Sequence, residues 1–405
     1  MKVVHVGYRA TVVSRTGGAG IAGRRIFDAQ RKFPVELCID CVKDPEEPEA
    51  ALFVPNAWVR SQIFAERVLT RLFHLPLVSA GVVSTGFPAF INAQKPDIVQ
   101  LSWVRAYAMG VRELAKIKGP VVWLLHDLWP MLGTRAYPVD ESFKTTGCSE
   151  SWLDHWVWKE KCKAIQSMRD RMCVVGPSRW AAKQAEESVV FRGCRTEFIP
   201  YPLSDEFIAA SRTIAKLPKT RKEKFTILFG AALNYRDPIK GYDRLMAALS
   251  RLPVESRKSI SVRVFGSAGD PIVENGIEVS FLGRLDQKGL IEAYHDADMF
   301  SFPSRQETWG QTKTEALSCG TPVVAFDETA CAEGITHEVN GWVAAANDIA
   351  GYAEGINWLF RMWRKGDALR FPDVTTDYTL DAVGRQWHDL YRSLLRNKGV
   401  HNDQV

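Results

Sequence analysis

At 405 residues the chain is too long for one ordinary core and comfortable for two domains of roughly 200 residues each. With 46% hydrophobic and 24% charged residues it has the composition of a soluble globular protein. A net charge of +5 suits anionic small molecules or an anionic membrane surface better than a nucleic-acid coat.

The opening MKVVHVGYRATVV has no long apolar stretch of the secretory kind. No apolar run nears the ~20 residues needed to cross a bilayer, VVWLL at 121–125 being only strand length. Among the eight cysteines, Cys38 and Cys41 form a lone C-x-x-C without the second pair or histidines of a zinc site. Reduced, mainly buried thiols of a cytosolic protein are expected, with no metal.

In chain order, KVVHVG (2–7) reads as a strand and AGRRIFDAQRKF as a helix. VELCIDCV (35–42), PDIVQLSWV (96–104), PVVWLLHD (120–127) and RMCVVGPS (171–178) follow as strands. Continuous apolar strands separated by helices predict a parallel sheet covered on both faces. IPYPLSDEF (199–207) reads as a linker, after which the pattern restarts. FTILFGA (225–231), SVRVFGS (261–267), IEVSFLG (277–283), ADMFSFPS (297–304) and PVVAFDE (322–328) are strands, with KGYDRLMAALSRL a helix. A long amphipathic helix, 377–398, closes the chain. The predicted units are 1–203, 204–376 and a final helix, 377–405.

Ligands of open α/β sheets sit beyond the carboxyl ends of the strands. Residues at or just after strand ends include Gly18, His126-Asp127, Gly230, Gly266, Gly283 and Glu307. Gly18-Ala19-Gly20-Ile21-Ala22-Gly23 fits the G-x-G-x-x-G spacing of a dinucleotide turn, and Asp40 lies near the offset of its acidic partner. Roughly ten residues separate Gly18 from the first strand, where a dinucleotide turn has none. A turn of small residues for close helix packing, or a phosphate- or sugar-facing loop at a helix N-terminus, remain as readings.

The stretch FSFPSRQETWGQTKTEALSCGTPVVAFDE (300–328) carries more chemistry. A strand ends at Pro303-Ser304, a loop carries Glu307, and a helix is predicted from about Trp309 to Ser318, with Gly320 as its stop. Backbone N–H groups at 308–312, including those of Trp309, Gly310 and Gln311, would face the ligand at a positive helix end. Backbone donors for phosphate and two carboxylates, Glu307 and Glu315, for vicinal hydroxyls suit a sugar diphosphate.

This stretch resembles the E-x7-E signature of retaining glycosyltransferases of family 4 and the E-A-x-x-C-G-T-P-V-V-A-F run that follows it. Gly17-Gly18-Ala19 looks like the family's first-loop G-G-A, and LLHDLWPMLG like the H-D-x-W-P-x-x-G segment of its bacterial polysaccharide-assembly members. VVGPSRW and FIPYPLSDEF resemble its PS-x-W and IPNPVD-x-x-F segments, DPIKGYDRLMAAL its phosphate-lysine segment and FLGRL its nucleobase-facing turn.

The resemblance implies the α/β GT-B fold: two Rossmann-like domains facing across a cleft, with the last helix crossing back to the first domain. It implies that Glu315 binds ribose hydroxyls, Glu307 the donor sugar, and Lys240 the diphosphate. His126 would sit near the donor sugar, Gly18 would let backbone approach phosphate, and Leu282-Gly283-Arg284 would face the base. Many relatives carry Gly-Arg shortly before the lysine. Here Ala231 and Ala232 follow Gly230, and Arg236 is the candidate replacement. Asp127 is as readily a cap for the next turn as a catalytic group.

The function implied is a retaining hexosyltransferase moving a sugar from a nucleotide-diphosphate sugar, UDP or GDP, to a saccharide or lipid-linked saccharide in bacterial surface polysaccharide assembly. No cofactor, metal or nucleic acid is required. The alternatives are another GT-B enzyme such as a sugar-phosphate synthase, a dinucleotide-dependent oxidoreductase, or a non-catalytic carbohydrate-binding relative. In 57–75, Phe64, Val68, Leu69 and Leu72 share a helical stripe edged by Arg60, Arg67 and Arg71. That helix either covers the first sheet or touches an anionic membrane, giving a cytoplasmic protein with a peripheral contact at the inner face.

Overall fold

The computed structural model describes residues 1–6, 17–34, 36–38, 56–72, 81, 83–102, 104, 109–138, 144, 151–213, 222–231, 234–366 and 375–402. The loop before Gly17, Asp40, Cys41, Trp103, Cys148, Ala232 and residues 73–75 lie outside the described residues. The chain divides into two compact units, Met1–Tyr201 with Leu380–Val405, and Pro202–Thr379.

The first unit is a six-stranded parallel sheet: β1 (Lys2–Val6), β2 (Glu36–Cys38), β3 (Ile98–Leu101), β4 (Val121–Leu124), β5 (Met172–Gly176) and β6 (Arg195–Phe198). Its spatial order is β2-β1-β3-β4-β5-β6. Strands β3, β4 and β5 are buried throughout, as the apolar runs of β4 and β5 require when helices cover both faces, and β3 carries one buried polar residue, Gln100. The helices are α1 (Gly17–Arg31), α2 (Ala57–Leu72), α3 (Phe87–Ala93), α4 (Trp152–Gln166) and α5 (Arg179–Glu187). Strand β6 was not read from the sequence. Its RTEF has two charges in four residues and is only partly buried, because it is the edge of the sheet.

The second unit contains α6 (Asp205–Arg212), β7 (Phe225–Gly230), α7 (Tyr242–Ser250), α8 (Val254–Lys258) and β8 (Ile260–Phe265). It continues through β9 (Ile272–Glu274), β10 (Ile277–Gly283), α9 (Gln287–Asp296), β11 (Met299–Phe302) and α10 (Gln311–Ser318). It closes with β12 (Val323–Phe326), β13 (Gly341–Ala344) and α11 (Ile349–Lys365). The sheet runs β13-β12-β11-β7-β8-β10-β9 and is parallel except for the antiparallel edge strand β9. The chain order reverses between β7 and β11, which makes the carboxyl ends of these two neighbours the topological switch point.

The last helix, α12 (Leu380–Asn402), belongs to the first unit and lies against α1. Two features hold it there. A Cβ on Gly384 would stand 2.2 Å from the Ala29 carbonyl oxygen, so the helices touch backbone to side-chain-free backbone. Beside that contact, Gln30 Nε2 donates to Tyr391 Oη at 2.7 Å and to Gln100 Oε1 at 3.0 Å. His5 Nε2 lies 2.5 Å from Gln30 Oε1, and burial pushes the His5 imidazole down to about 4, so it is neutral at physiological pH. These buried polar groups join β1, α1, β3 and α12 into one network.

Candidate active site

The second unit builds its site at the β7/β11 switch point. After β7 the chain turns through Asp237, whose carboxylate accepts from the Ile239 N–H at 3.0 Å and whose carbonyl accepts from the Lys240 N–H at 2.9 Å. Gly241 follows with φ of 75°, and a Cβ there would come within 2.2 Å of the Pro303 carbonyl oxygen. Only glycine combines that dihedral with that approach. Arg305 sews the two loops together from the β11 side. Its N–H donates to the Ile239 carbonyl at 2.8 Å, and its guanidinium grips Asp243 at 2.9 and 2.5 Å and also reaches the Pro238 carbonyl. The Arg305 hydrogen bond, more than burial opposes it, holds the Asp243 carboxyl below its ordinary range.

This sewing brings two of the expected residues together. Lys240 Nζ donates to Glu307 Oε1 at 2.6 Å. Glu307 is itself held by its backbone: its N–H donates to Thr329 Oγ1 at 3.0 Å, and its carbonyl accepts from the Ala330 N–H at 3.3 Å.

Helix α10 begins at Gln311, two residues later than expected. Gly310 has φ of 85°, outside the helical region, and sits so close to Phe302 that a Cβ would be 2.6 Å from the ring. Of the five N–H groups expected at the helix end, those of Thr308, Trp309 and Gly310 therefore precede the helix. Trp309 is buried, with its ring 5.4 Å from that of Tyr378 in edge-to-face contact, so its side chain is part of the core. Glu315, in the middle of α10, is buried and accepts from the Tyr294 hydroxyl of α9 at 3.2 Å.

Lys313 of α10 is a residue that spacing did not single out. It is buried, and its ammonium donates to the Ala330 carbonyl at 2.8 Å while lying 5.6 Å from the centre of the Trp309 ring. Burial pushes it down to about 8. Through Ala330 it supports the turn that holds Glu307. The available signal was a lysine inside a short helix flanked by buried neighbours, between the two acids of the motif.

The remaining donor-side candidates sit on neighbouring strand ends. Gly230 closes β7 against the Phe265 ring, which a Cβ would strike at 2.1 Å. Arg236 is exposed and bonds Tyr235 Oη through Nε at 3.0 Å, its guanidinium 5.3 Å from the Tyr235 ring. Leu282 is half-buried and Arg284 exposed on either side of Gly283, whose N–H and carbonyl pair with Ser267 and Gly266.

In the first unit, Gly18 is exposed in the first turn of α1. His126 follows β4, where the Leu125 N–H donates to the Val175 carbonyl at 2.9 Å. The Tyr201 hydroxyl lies 2.6 Å from His126 Nδ1. Asp127 accepts from the Trp129 N–H at 2.9 Å and thus caps the next turn. That turn is clamped by α4. Lys161, wholly buried, donates to the carbonyls of Trp129, Leu132 and Gly133 at 2.6, 2.8 and 2.6 Å and lies over the Trp129 ring. Desolvation pushes its amine well below its usual value, against the attraction of Asp127 and Asp154. One helical face thus presents both Lys161 and Asp154, the latter accepting from Thr134 through N–H and hydroxyl at 2.6 and 2.8 Å.

Among the described residues, no cluster of three or more His, Cys, Asp or Glu side chains is placed to hold a metal ion. No described helix is long and apolar enough to cross a membrane. Cys173, Cys319 and Cys331 are buried free thiols, and Cys162 and Cys194 are partly buried ones.

Comparison with known proteins gives the fold. Sucrose-phosphate synthase from Thermosynechococcus elongatus superimposes with a TM-score of 0.67 at 18% identity, over 98% of this chain and 100% of that one. The fold is GT-B. HepE of Anabaena in complex with UDP-glucose superimposes with a TM-score of 0.60 at 16% identity, over 97% and 100% of the two chains. Residues 211–370 match the family described as Glycosyl transferases group 1. An uncharacterized glycosyltransferase of Methanocaldococcus jannaschii is 26% identical over 255 residues, 59% of this chain. That match spans 62% of the archaeal protein's own length. Together these likenesses give the GT-B fold for the chain and a resemblance of residues 211–370 to the group 1 glycosyl transferases.

Proposed function

We propose that the protein is a retaining glycosyltransferase of family 4. It would move a hexose from a nucleoside diphosphate sugar to a hydroxyl of a saccharide or lipid-linked saccharide during bacterial surface polysaccharide assembly. The observation that carries the reading is the Lys240–Glu307 contact at the switch point, 2.6 Å long and built from two loops that Arg305 and Gly241 hold together. A cation and a carboxylate so placed match the two halves of a sugar diphosphate.

On this reading, Lys240 turns from Glu307 to the diphosphate and stabilises the charge that grows as the anomeric C–O bond breaks. Glu307 then binds donor hydroxyls and Glu315 the ribose. Gly18, Gly230, Arg236, Gly310 and Gln311 serve the phosphates, and Leu282 and Arg284 the base. Trp309 acts through its backbone. His126 donates a hydrogen bond to the sugar. The acceptor oxygen attacks the anomeric carbon on the face the diphosphate leaves, and the leaving phosphate takes the acceptor proton. UDP is favoured as the base carrier because HepE was crystallised with UDP-glucose. Incubation with UDP- and GDP-hexoses and a saccharide acceptor, followed by NMR of the product anomer, tests the assignment. An inverted anomer, or NAD-dependent oxidation in place of transfer, would overturn it.

Peripheral membrane contact at the inner face of a cytoplasmic membrane belongs to the same proposal. Trp58, Phe64 and Val68 of α2 are 71%, 68% and 40% exposed, with Arg60 exposed beside them. An apolar face edged by a cation suits an anionic bilayer. Flotation with phosphatidylglycerol vesicles tests it, and equal flotation of the Trp58→Ser, Phe64→Ser variant would contradict it.

A further inference from the structure

The segment 199–207 resembles IPNPVD-x-x-F, yet tyrosine stands at the asparagine position. Tyr201 lies between Pro200 and Pro202, which fix their own φ and restrict the residue before each. Sheet pairing continues up to it, since the Ile199 N–H donates to the Gly176 carbonyl at 3.1 Å. Tyr201 is buried, 4% exposed. Its hydroxyl reaches His126 Nδ1 at 2.6 Å, with the two rings 5.5 Å apart and tilted by 32°.

We propose that Tyr201 is a positioning residue that fixes His126 in the tautomer with its proton on Nε2, so that His126 acts as a hydrogen-bond donor. The inference rests on the role of His126 in transfer proposed above. A phenol is a better donor than acceptor, and a neutral imidazole's bare nitrogen is a better acceptor than a phenol oxygen. The Tyr201 O–H therefore points at Nδ1, and the ring's single proton is left on Nε2. An imidazole so fixed presents N–H, not a lone pair, at Nε2. It can polarise a donor-sugar oxygen and cannot serve as general base through that nitrogen. This agrees with a transfer in which the leaving phosphate receives the acceptor proton.

The test uses the full chain labelled with 15N-histidine, with the His126 signals assigned by their loss in His126→Gln. The wild type should show a pyridine-type Nδ1 and a pyrrole-type Nε2. Tyr201→Phe, which keeps the ring, should give a mixture of tautomers with an unchanged melting curve. Turnover in Tyr201→Phe should fall about tenfold, the worth of one hydrogen bond, with donor KM within about twofold. His126→Gln places an amide N–H near Nε2, so adding Tyr201→Phe to it should cost nothing further. A protonated Nδ1 in the wild type, or an unaltered tautomer in Tyr201→Phe, overturns the inference. The expected NMR response without any transfer activity leaves the tautomer assignment standing and overturns the transferase reading instead.

Discussion

Lys240 Nζ and Glu307 Oε1 are 2.6 Å apart, although 67 residues of chain separate them. The two charges neutralise each other, and on the function proposed above the pair holds the cation that a donor diphosphate would engage. Lys240→Met should weaken binding of a nucleoside diphosphate about 10- to 100-fold, the range for a charge-assisted hydrogen bond. Glu307→Gln removes the competitor, so UDP or GDP should bind at least as tightly as to the parent, while sugar transfer falls. Isothermal titration with the free diphosphate and a turnover assay separate the two effects. Equal loss of diphosphate binding in both variants would contradict the division of labour.

Gly241 sets the lysine loop against β11. Gly241→Ala places a methyl at φ of 75° and 2.2 Å from the Pro303 carbonyl oxygen, so the loop must move. Diphosphate affinity should drop at least tenfold. The comparison variant is Gly276→Ala, also at positive φ (77°) but with no atom within 4 Å of the added carbon. It should bind as the parent does. Indistinguishable titrations of Gly241→Ala and Gly276→Ala would count against the loop as a ligand cradle.

Lys313 gives the second unit a measurable alkaline signature. Burial lowers its amine from 10.5 to about 8, so between pH 8 and 10.5 the unfolded chain binds a proton that the folded chain does not. Its contribution to folding therefore rises with pH across that window, by at most about 1.4 kcal/mol per pH unit, and is level below pH 8. Urea unfolding of wild type and Lys313→Met at pH 7, 8, 9 and 10 reads it. The difference between them should shift toward the wild type only above pH 8, and a flat difference would show that the ammonium is not desolvated.

Gly384 governs how the last helix seats. Gly384→Ala drives a methyl into the Ala29 carbonyl at 2.2 Å and should cost about 1–3 kcal/mol. A lowered melting temperature with retained diphosphate binding is the expected pairing, since Lys240 and Glu315 lie in the second unit and Gly384 meets α1 at Ala29, in a later turn than Gly18.

The sequence made the two α/β units legible because their buried parallel strands are unbroken apolar runs, as in β4 and β12. The Glu307/Glu315 stretch was legible because its residues are close in the chain and match a known pattern. Strands β6, β9 and β13 escaped because short edge strands carry polar residues or a glycine and lack that apolar signature. The true start of α10 depends on Gly310, which takes a left-handed φ of 85° against the Phe302 ring, a tertiary contact that local spacing does not reveal. Tyr201, Arg305 and Lys313 act through partners 75, 62 and 17 residues away, and spacing rules do not reach that far.

The central claim is that the second unit binds a nucleoside diphosphate through Glu315 and Lys240. Calorimetric titration of UDP, GDP, ADP and NAD into the wild type and Glu315→Ala tests it most directly. The account predicts selective binding of one diphosphate, UDP foremost, that is lost in Glu315→Ala. Tight NAD binding with no response to the diphosphates would contradict it and restore the dinucleotide reading of the first glycine loop.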